Sequence, residues 1–147
     1  MILPQLDYAD IVWDSCKKKH ADIIQKLQNR AGRIILKINP LSHTSNKNIH
    51  QTLKWDILSC RRQQHLLQLI YKAVNGLTPL YLEERFRIKD NAYSLRSDYN
   101  IDVKIPRNNY NKRMISYRGS VEFNALPMNL KRAPTLNSFK QGIQKQN

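Results

Sequence analysis

The stretch Ile23–Ile38, IIQKLQNRAGRIILKI, has the most regular pattern in the chain and decides the fold class. Its apolar residues recur at alternating steps of three and four, which is the period of an α-helix with one apolar face. These residues are Ile24, Leu27, Ala31, Ile34 and Ile38. We expect this stripe to pack against the rest of the protein. The opposite flank is uncharged and consists of Ala21, Gln25, Gln28 and Gly32.

The cations of the same helix are sorted to one side. Lys19, Lys26, Arg30, Arg33 and Lys37 recur with nearly the spacing of the apolar residues. At ~100° per residue, their stripe lies roughly a third of a turn from the apolar stripe. Like charges at helical spacing repel one another, so packing alone gives no reason for this arrangement. A polyanion bound along the helix would offset the repulsion, whereas the plainer interpretation is a solvated face.

The composition narrows the class of partner. The chain has 147 residues, with 25 lysines and arginines against 11 acids, for a formal charge of +14. This excess favours nucleic acid or an anionic surface, although charge alone does not choose between them. The longest apolar runs are far shorter than the ~20 residues of a membrane span, and the N-terminus does not resemble a signal peptide. We therefore predict an intracellular protein, nuclear or cytoplasmic, without a membrane partner.

The remaining pattern is also mainly helical. A second long helix, expected to be the most buried, is predicted over Ile57–Asn75 with Gly76 as its C-terminal cap. A short amphipathic helix from Pro4 to Trp13 precedes the basic one, and a last helix is predicted over Thr135–Gln144. Only Ile101–Ile105 alternates like a strand. The predicted fold is mostly α, an irregular helical bundle with a long basic loop and at most one short β-hairpin.

We predict a single domain with three regions: helices over 1–87, a basic extended loop over 88–118 and a helical segment over 119–147. The loop mixes cations with aromatic rings, as surfaces that grip and stack single-stranded nucleic acid do. Its cations are Lys104, Arg107, Lys112, Arg113 and Arg118, and its rings are Tyr110 and Tyr117. The plainer interpretation of the tyrosines is simple packing.

Independent catalysis is not predicted. Asp7, Asp10 and Asp14 share one helical face and could hold magnesium, but pairing with Lys17–Lys19 or with the basic helix is the simpler expectation. Glycine-rich phosphate loops and nucleophile signatures are missing. The two cysteines and four histidines do not have zinc-site spacing. We therefore expect no catalytic residues, metal, cofactor or small-molecule ligand.

Several phrases in order resemble one protein family, the reverse transcriptases of non-LTR retrotransposons (LINEs) of the jockey and chicken-repeat type, in their C-terminal part. The phrases are ILPQLDYADIVW at 2–13, IIQKLQNRAGRIIL at 23–36, LKWDILSCRRQQHLLQLIYKAVNGLTPLYL at 53–82, YSLR at 93–96, IPRNNYNKRMISYRGSVEFNALP at 105–127 and LKRAPTLNSFK at 130–140. They cover nearly the whole chain. The chain departs from the family's pattern at Phe123, where such elements usually have Trp. This difference affects only a packing contact.

The resemblance implies the thumb and the helical region beyond it, which cradle template and primer beside the catalytic palm. The family's Tyr-x-Asp-Asp turn and its endonuclease have no counterpart in these residues, so no catalytic role carries over. A truncated reading frame is the expectation. The implied function is RNA or DNA backbone binding by a non-catalytic fragment. The alternative is an inert structural remnant that once packed on the missing palm, and an active polymerase would need a palm supplied in trans.

Overall fold

A computed structural model of the chain describes residues 3–39, 42–89 and 99–145. Within these ranges it contains nine α-helices and a 3-10 helix at Asn111–Arg113. The α-helices are α1 (Leu3–Asp7), α2 (Asp10–Trp13), α3 (Lys18–Ile35), α4 (Asn46–Leu53), α5 (Leu58–Val74), α6 (Leu80–Glu83), α7 (Ile115–Ala125), α8 (Met128–Lys131) and α9 (Leu136–Gln144). The mostly α fold class is confirmed.

The chain divides into two compact units, Met1–Arg62 and Gln63–Asn147, and the division falls inside α5. The region boundaries predicted after residues 87 and 118 do not coincide with this division, and both lie within the second unit. Part of the predicted basic loop, residues 90–98, lies outside the described residues.

In the first unit, α3 packs through the flank opposite to the predicted one. Gln28 is fully buried and Gly32 is buried, whereas Leu27 is 55% and Ile34 is 69% exposed. The apolar stripe is therefore not the packing face as predicted, although Ile24, Ala31 and Ile38 are half-buried. The reason is a set of hydrogen bonds that a leucine cannot make. Gln28 Nε2 donates to the Asp56 carbonyl at 3.0 Å, and the Leu58 amide donates to Gln25 Oε1 at 3.1 Å.

Gly32 allows α4 to approach α3 closely. A Cβ atom at this position would lie 2.6 Å from Ile49 Cγ2, a contact that a real side chain does not tolerate. Ile49 is only 1% exposed, so it has little room to move. The N-terminus of α4 is capped by Ser45, whose Oγ accepts from the Lys47 amide. The glycine and the cap together fix the α3 and α4 pair.

The predicted first helix is two short helices rather than one. Ala9 lies between α1 and α2 with a φ of 50°, in the left-handed region, so the helix cannot continue through it. Two of the three acids of this segment pair with arginines of α5. Asp7 accepts from Arg61, with Nε at 3.0 Å from Oδ1, and Asp14 accepts from Arg62. The hydrogen bond to Asp7 raises the pKa of Arg61.

The second unit has an apolar core built on α5. Leu66 and Ile70 of α5, Phe123 of α7 and Phe139 of α9 are fully buried. The ring of Tyr71 stacks on Phe139 with centroids 4.3 Å apart, and its hydroxyl donates to the Ala133 carbonyl at 2.6 Å. Burial raises the pKa of Tyr71. The prediction that this helix is the most buried one is confirmed.

Helix ends in this unit largely follow the sequence signals. Gly76 has a φ of 68° just after α5, as a C-terminal cap requires. Thr135 caps α9 by accepting from the Ser138 amide at 3.2 Å. α7 begins at Ile115, earlier than the expected Gly119, and α8 was not predicted.

The predicted strand Ile101–Ile105 is reduced to a single antiparallel bridge, Ile88 to Ile101, within the described residues. The side chain of Asn124 makes the hydrogen bonds to the Ile101 backbone that a neighbouring strand would otherwise make. Its Oδ1 accepts from the Ile101 amide at 2.8 Å, and its Nδ2 donates to the Ile101 carbonyl at 3.0 Å. The buried Lys131 donates to Asn100 Oδ1 and to the Asn124 carbonyl, both at 2.7 Å. Burial lowers the pKa of Lys131.

Candidate nucleic-acid interface

The first candidate surface is one side of α3. Lys19, Lys26 and Arg30 are solvent-exposed and recur at helical spacing, and we call these three residues the α3 basic face. Among the described residues, none of them forms an ion pair with a carboxylate. The α3 basic face can therefore offer three positive charges to a phosphate backbone without first breaking an internal contact.

The other two cations predicted for this stripe differ from those three. Lys37 is exposed but lies beyond the end of α3 in the left-handed region, with a φ of 49°, so it does not continue the helical stripe. Arg33 is half-buried, and its Nη2 donates to the Thr44 carbonyl at 2.8 Å and to Asn46 Oδ1 at 3.3 Å. Arg33 therefore ties α3 to the start of α4, which makes it a structural residue in this unit.

The second candidate surface is a cleft of about 730 Å³ in the Gln63–Asn147 unit. Its lining includes three exposed cations, Arg85, Arg87 and Lys104, beside the half-buried ring of Tyr117. We call it the basic cleft. Two exposed carboxylates, Glu84 and Asp102, also line it. Glu84 lies 3.8 Å from Arg87, an exposed pair that leaves the arginine free to exchange partners. The cleft combines charge with one aromatic face.

Sequence reasoning missed Arg85 and Arg87. The signal was present, because cations alternate with apolar residues over 85–89, RFRIK. Phe86 is buried and Ile88 half-buried, so the cations between and after them face solvent, as period-two alternation indicates.

Three other predicted cations of the loop are exposed at or near the 3-10 helix: Arg107, Lys112 and Arg113. The ring of Tyr110 beside them is 74% exposed and available for stacking. Arg118 differs, because it is half-buried on α7 with its Nε 3.3 Å from Glu122 Oε1. Its charge is largely compensated by that carboxylate.

The two sets of cations belong to different units, the α3 basic face to Met1–Arg62 and the loop cations to Gln63–Asn147.

Comparisons with known proteins gave no significant match to a family model, a curated protein or a solved structure. Across the described ranges, no helix combines the length and the apolar character that crossing a bilayer requires.

Proposed function

We propose that this chain is a non-catalytic, nucleic-acid-binding segment of a retroelement RNA-directed DNA polymerase. In this proposal it contacts the phosphate backbone of template and primer or of target DNA, with little sequence preference. The retroelement origin is supported by the ordered phrases that resemble LINE reverse transcriptases. The observation that carries the binding function is the α3 basic face, whose three cations are exposed and unpaired with carboxylates among the described residues.

Phosphate contacts of this kind have a defined salt dependence. Each neutralised phosphate releases condensed counterions, so the logarithm of the affinity falls with the logarithm of salt by about 0.9 per contact for duplex DNA and about 0.7 for a single strand. If the whole chain neutralises roughly five phosphates, the slope of log affinity against log salt should lie between about −3.5 for a single strand and −4.5 for a duplex.

The test is a fluorescence anisotropy titration of labelled duplex and single strand at several salt concentrations. Changing Lys19, Lys26 and Arg30 together to Gln should reduce the magnitude of the duplex slope by about 2.7 without loss of helical circular dichroism. Lys145→Gln removes an exposed cation outside both candidate surfaces and serves as a control. A flat salt response, or an equal effect per charge for Lys145→Gln and for the α3 variant, would refute the proposal.

A second candidate function, docking on a polymerase palm, is favoured by the exposed apolar residues of α3. Ile23 is 46% exposed beside Leu27 and Ile34, an arrangement that marks contact surfaces when the residues are contiguous. In this case, the purified chain should bind an apolar dye, and changing Leu27 and Ile34 to Gln should abolish that binding. The absence of heparin retention together with strong dye binding would favour docking over nucleic-acid binding.

A further inference from the structure

A second cleft, of about 680 Å³, lies wholly within the Met1–Arg62 unit. It is lined by residues of α3 and α4 and of the turn that follows α4, and we call it the amide cleft. Its volume falls in the range of small-molecule sites, which combine an apolar wall with a few fixed polar groups. Its lining includes Asn29, Lys47, His50, Lys54, Trp55 and Asp56.

Two backbone groups fix the orientation of the amides behind this lining. The Leu58 N–H can only donate, so the atom of Gln25 that it contacts is an oxygen. Gln25 Nε2 is then the donor to Asn29 Oδ1 at 3.0 Å and to Gln28 Oε1 at 2.7 Å. Gln28 Nε2 in turn donates to the Asp56 carbonyl, which can only accept. The amide network therefore has one consistent orientation.

This orientation sets the tautomer of His50. Its Nε2 lies 2.7 Å from Asn29 Oδ1, which is an acceptor, so Nε2 carries the proton. In the neutral ring, Nδ1 is then an acceptor, and it is buried without a partner among the described residues. This buried acceptor costs free energy, but its atom has no accessible surface that a ligand in the cleft could contact. Asn29 Nδ2 has no acceptor among the described residues and remains a donor.

The rest of the cleft matches the other parts of a nucleotide. Trp55 is half-buried against α3, where a Cβ at Gly32 would lie 3.6 Å from its Cζ3, so the ring is held in place while lining the cleft. An indole face stacks on any base. The exposed Lys47 and Lys54 line the cleft and can form ion pairs with the phosphate of a nucleotide whose base stacks there.

We propose that the amide cleft binds one unstacked nucleobase of a single strand. The base stacks on Trp55, and one of its acceptors accepts a hydrogen bond from Asn29 Nδ2. This inference rests on the proposed nucleic-acid binding and adds a base-dependent contact to a charge-dependent one.

The test compares two short oligodeoxynucleotides of equal charge, one fully abasic and one with a single adenine at its centre. The adenine strand should bind at least about fivefold more tightly, because a stacked base contributes at that level or above. In a Trp13→Phe background Trp55 is the sole indole, since the chain has two tryptophans, and its emission should be quenched by the adenine strand alone.

Trp55→Leu should reduce the ratio of the two affinities toward one. If this variant does not fold, the quenching measurement on the unaltered cleft still decides the question. The Gln variant of the α3 basic face should weaken both strands and leave their ratio unchanged. Equal binding of the two strands, without quenching, overturns the base site while the charge-based proposal survives. If neither strand binds, both proposals fail.

Discussion

Replacing Gln28 with Glu tests which flank of α3 faces the interior. The side chain is fully buried, and its Nε2 donates to the Asp56 carbonyl at 3.0 Å. A glutamate of nearly the same shape places an ionised oxygen against that carbonyl, whereas its protonated form can still donate there. The variant should therefore be close to the parent in stability at low pH and lose stability as pH rises.

The size of the loss follows from linkage. Full burial raises a carboxyl pKa by up to about 3 to 5 units, and the unfolded value is about 4.3, so a folded value above about 7 is the upper limit expected here. The folded state then holds a proton that the unfolded state releases above about pH 4.3. Each pH unit in this window costs about 1.36 kcal/mol, giving up to ~3.7 kcal/mol at pH 7.

Urea denaturation at pH 4 and pH 7, each referred to the parent chain, measures this difference. Gln63→Glu at an exposed position of α5 is the matched control and should show only a small pH effect. Leu27→Gln should change the free energy of unfolding by about 0.5 kcal/mol or less, since its side chain is already mostly exposed. If instead Leu27→Gln costs the ~2 to 5 kcal/mol of a core truncation and the stability of the Gln28→Glu variant does not depend on pH, then the flank that contains Gln28 is not the packing face of α3.

Three further predictions concern other contacts. Gly32→Ala should destabilise the chain, because overpacking against Ile49 at 2.6 Å costs about 1 to 3 kcal/mol, more than the ~1 kcal/mol gained in helix propensity; an unchanged urea midpoint would contradict the close approach. Asn124→Ala removes both side-chain hydrogen bonds to Ile101 and should cost about 1 to 3 kcal/mol, with faster amide exchange at Ile101 by NMR; unaltered exchange would show that other contacts hold the segment. The lowered pKa of Lys131 means that the folded state binds fewer protons than the unfolded state between that pKa and 10.5, so this group adds stability as pH rises through the window. Denaturation of the parent and of Lys131→Met between pH 8 and pH 10 should show this gain in the parent alone, and parallel pH profiles would count against it.

The sequence alone predicted those helices and helix ends that depend on residues close together in the chain. α5 and α9 have one dominant apolar face, and Ser45, Gly76 and Thr135 are residues whose chemistry ends or begins a helix at that position. These features involve neighbours within one turn, so periodicity and capping preferences find them.

The packing face of α3 was not predictable in this way, because both its apolar stripe and its uncharged flank can pack against the rest of the protein. Hydrophobicity ranks Leu27 above Gln28, yet Gln28 is fully buried and donates to the carbonyl of Asp56, which lies far along the chain. A helical wheel contains no information about the Asp56 carbonyl or the Leu58 amide. Arg33 illustrates the same limit, since Thr44 and Asn46, more than ten residues away, convert a cation that looks available into a structural residue.

Because α3 is anchored through amides, its cations and its apolar residues both face solvent. On the wheel, Arg30 lies next to Ile23, with Ile34 and Leu27 immediately beyond, so a charged strip and an apolar strip lie side by side on the exposed side. A phosphate backbone would satisfy the cations and leave Leu27 and Ile34 in water, whereas a protein surface that covered those residues would have to supply acids for Lys26 and Arg30. The two proposed functions therefore make opposite demands on one helix face. Separate charge and apolar variants of α3 distinguish them: the charge variant should change the salt slope alone if nucleic acid is the partner, and the apolar variant should change dye binding alone.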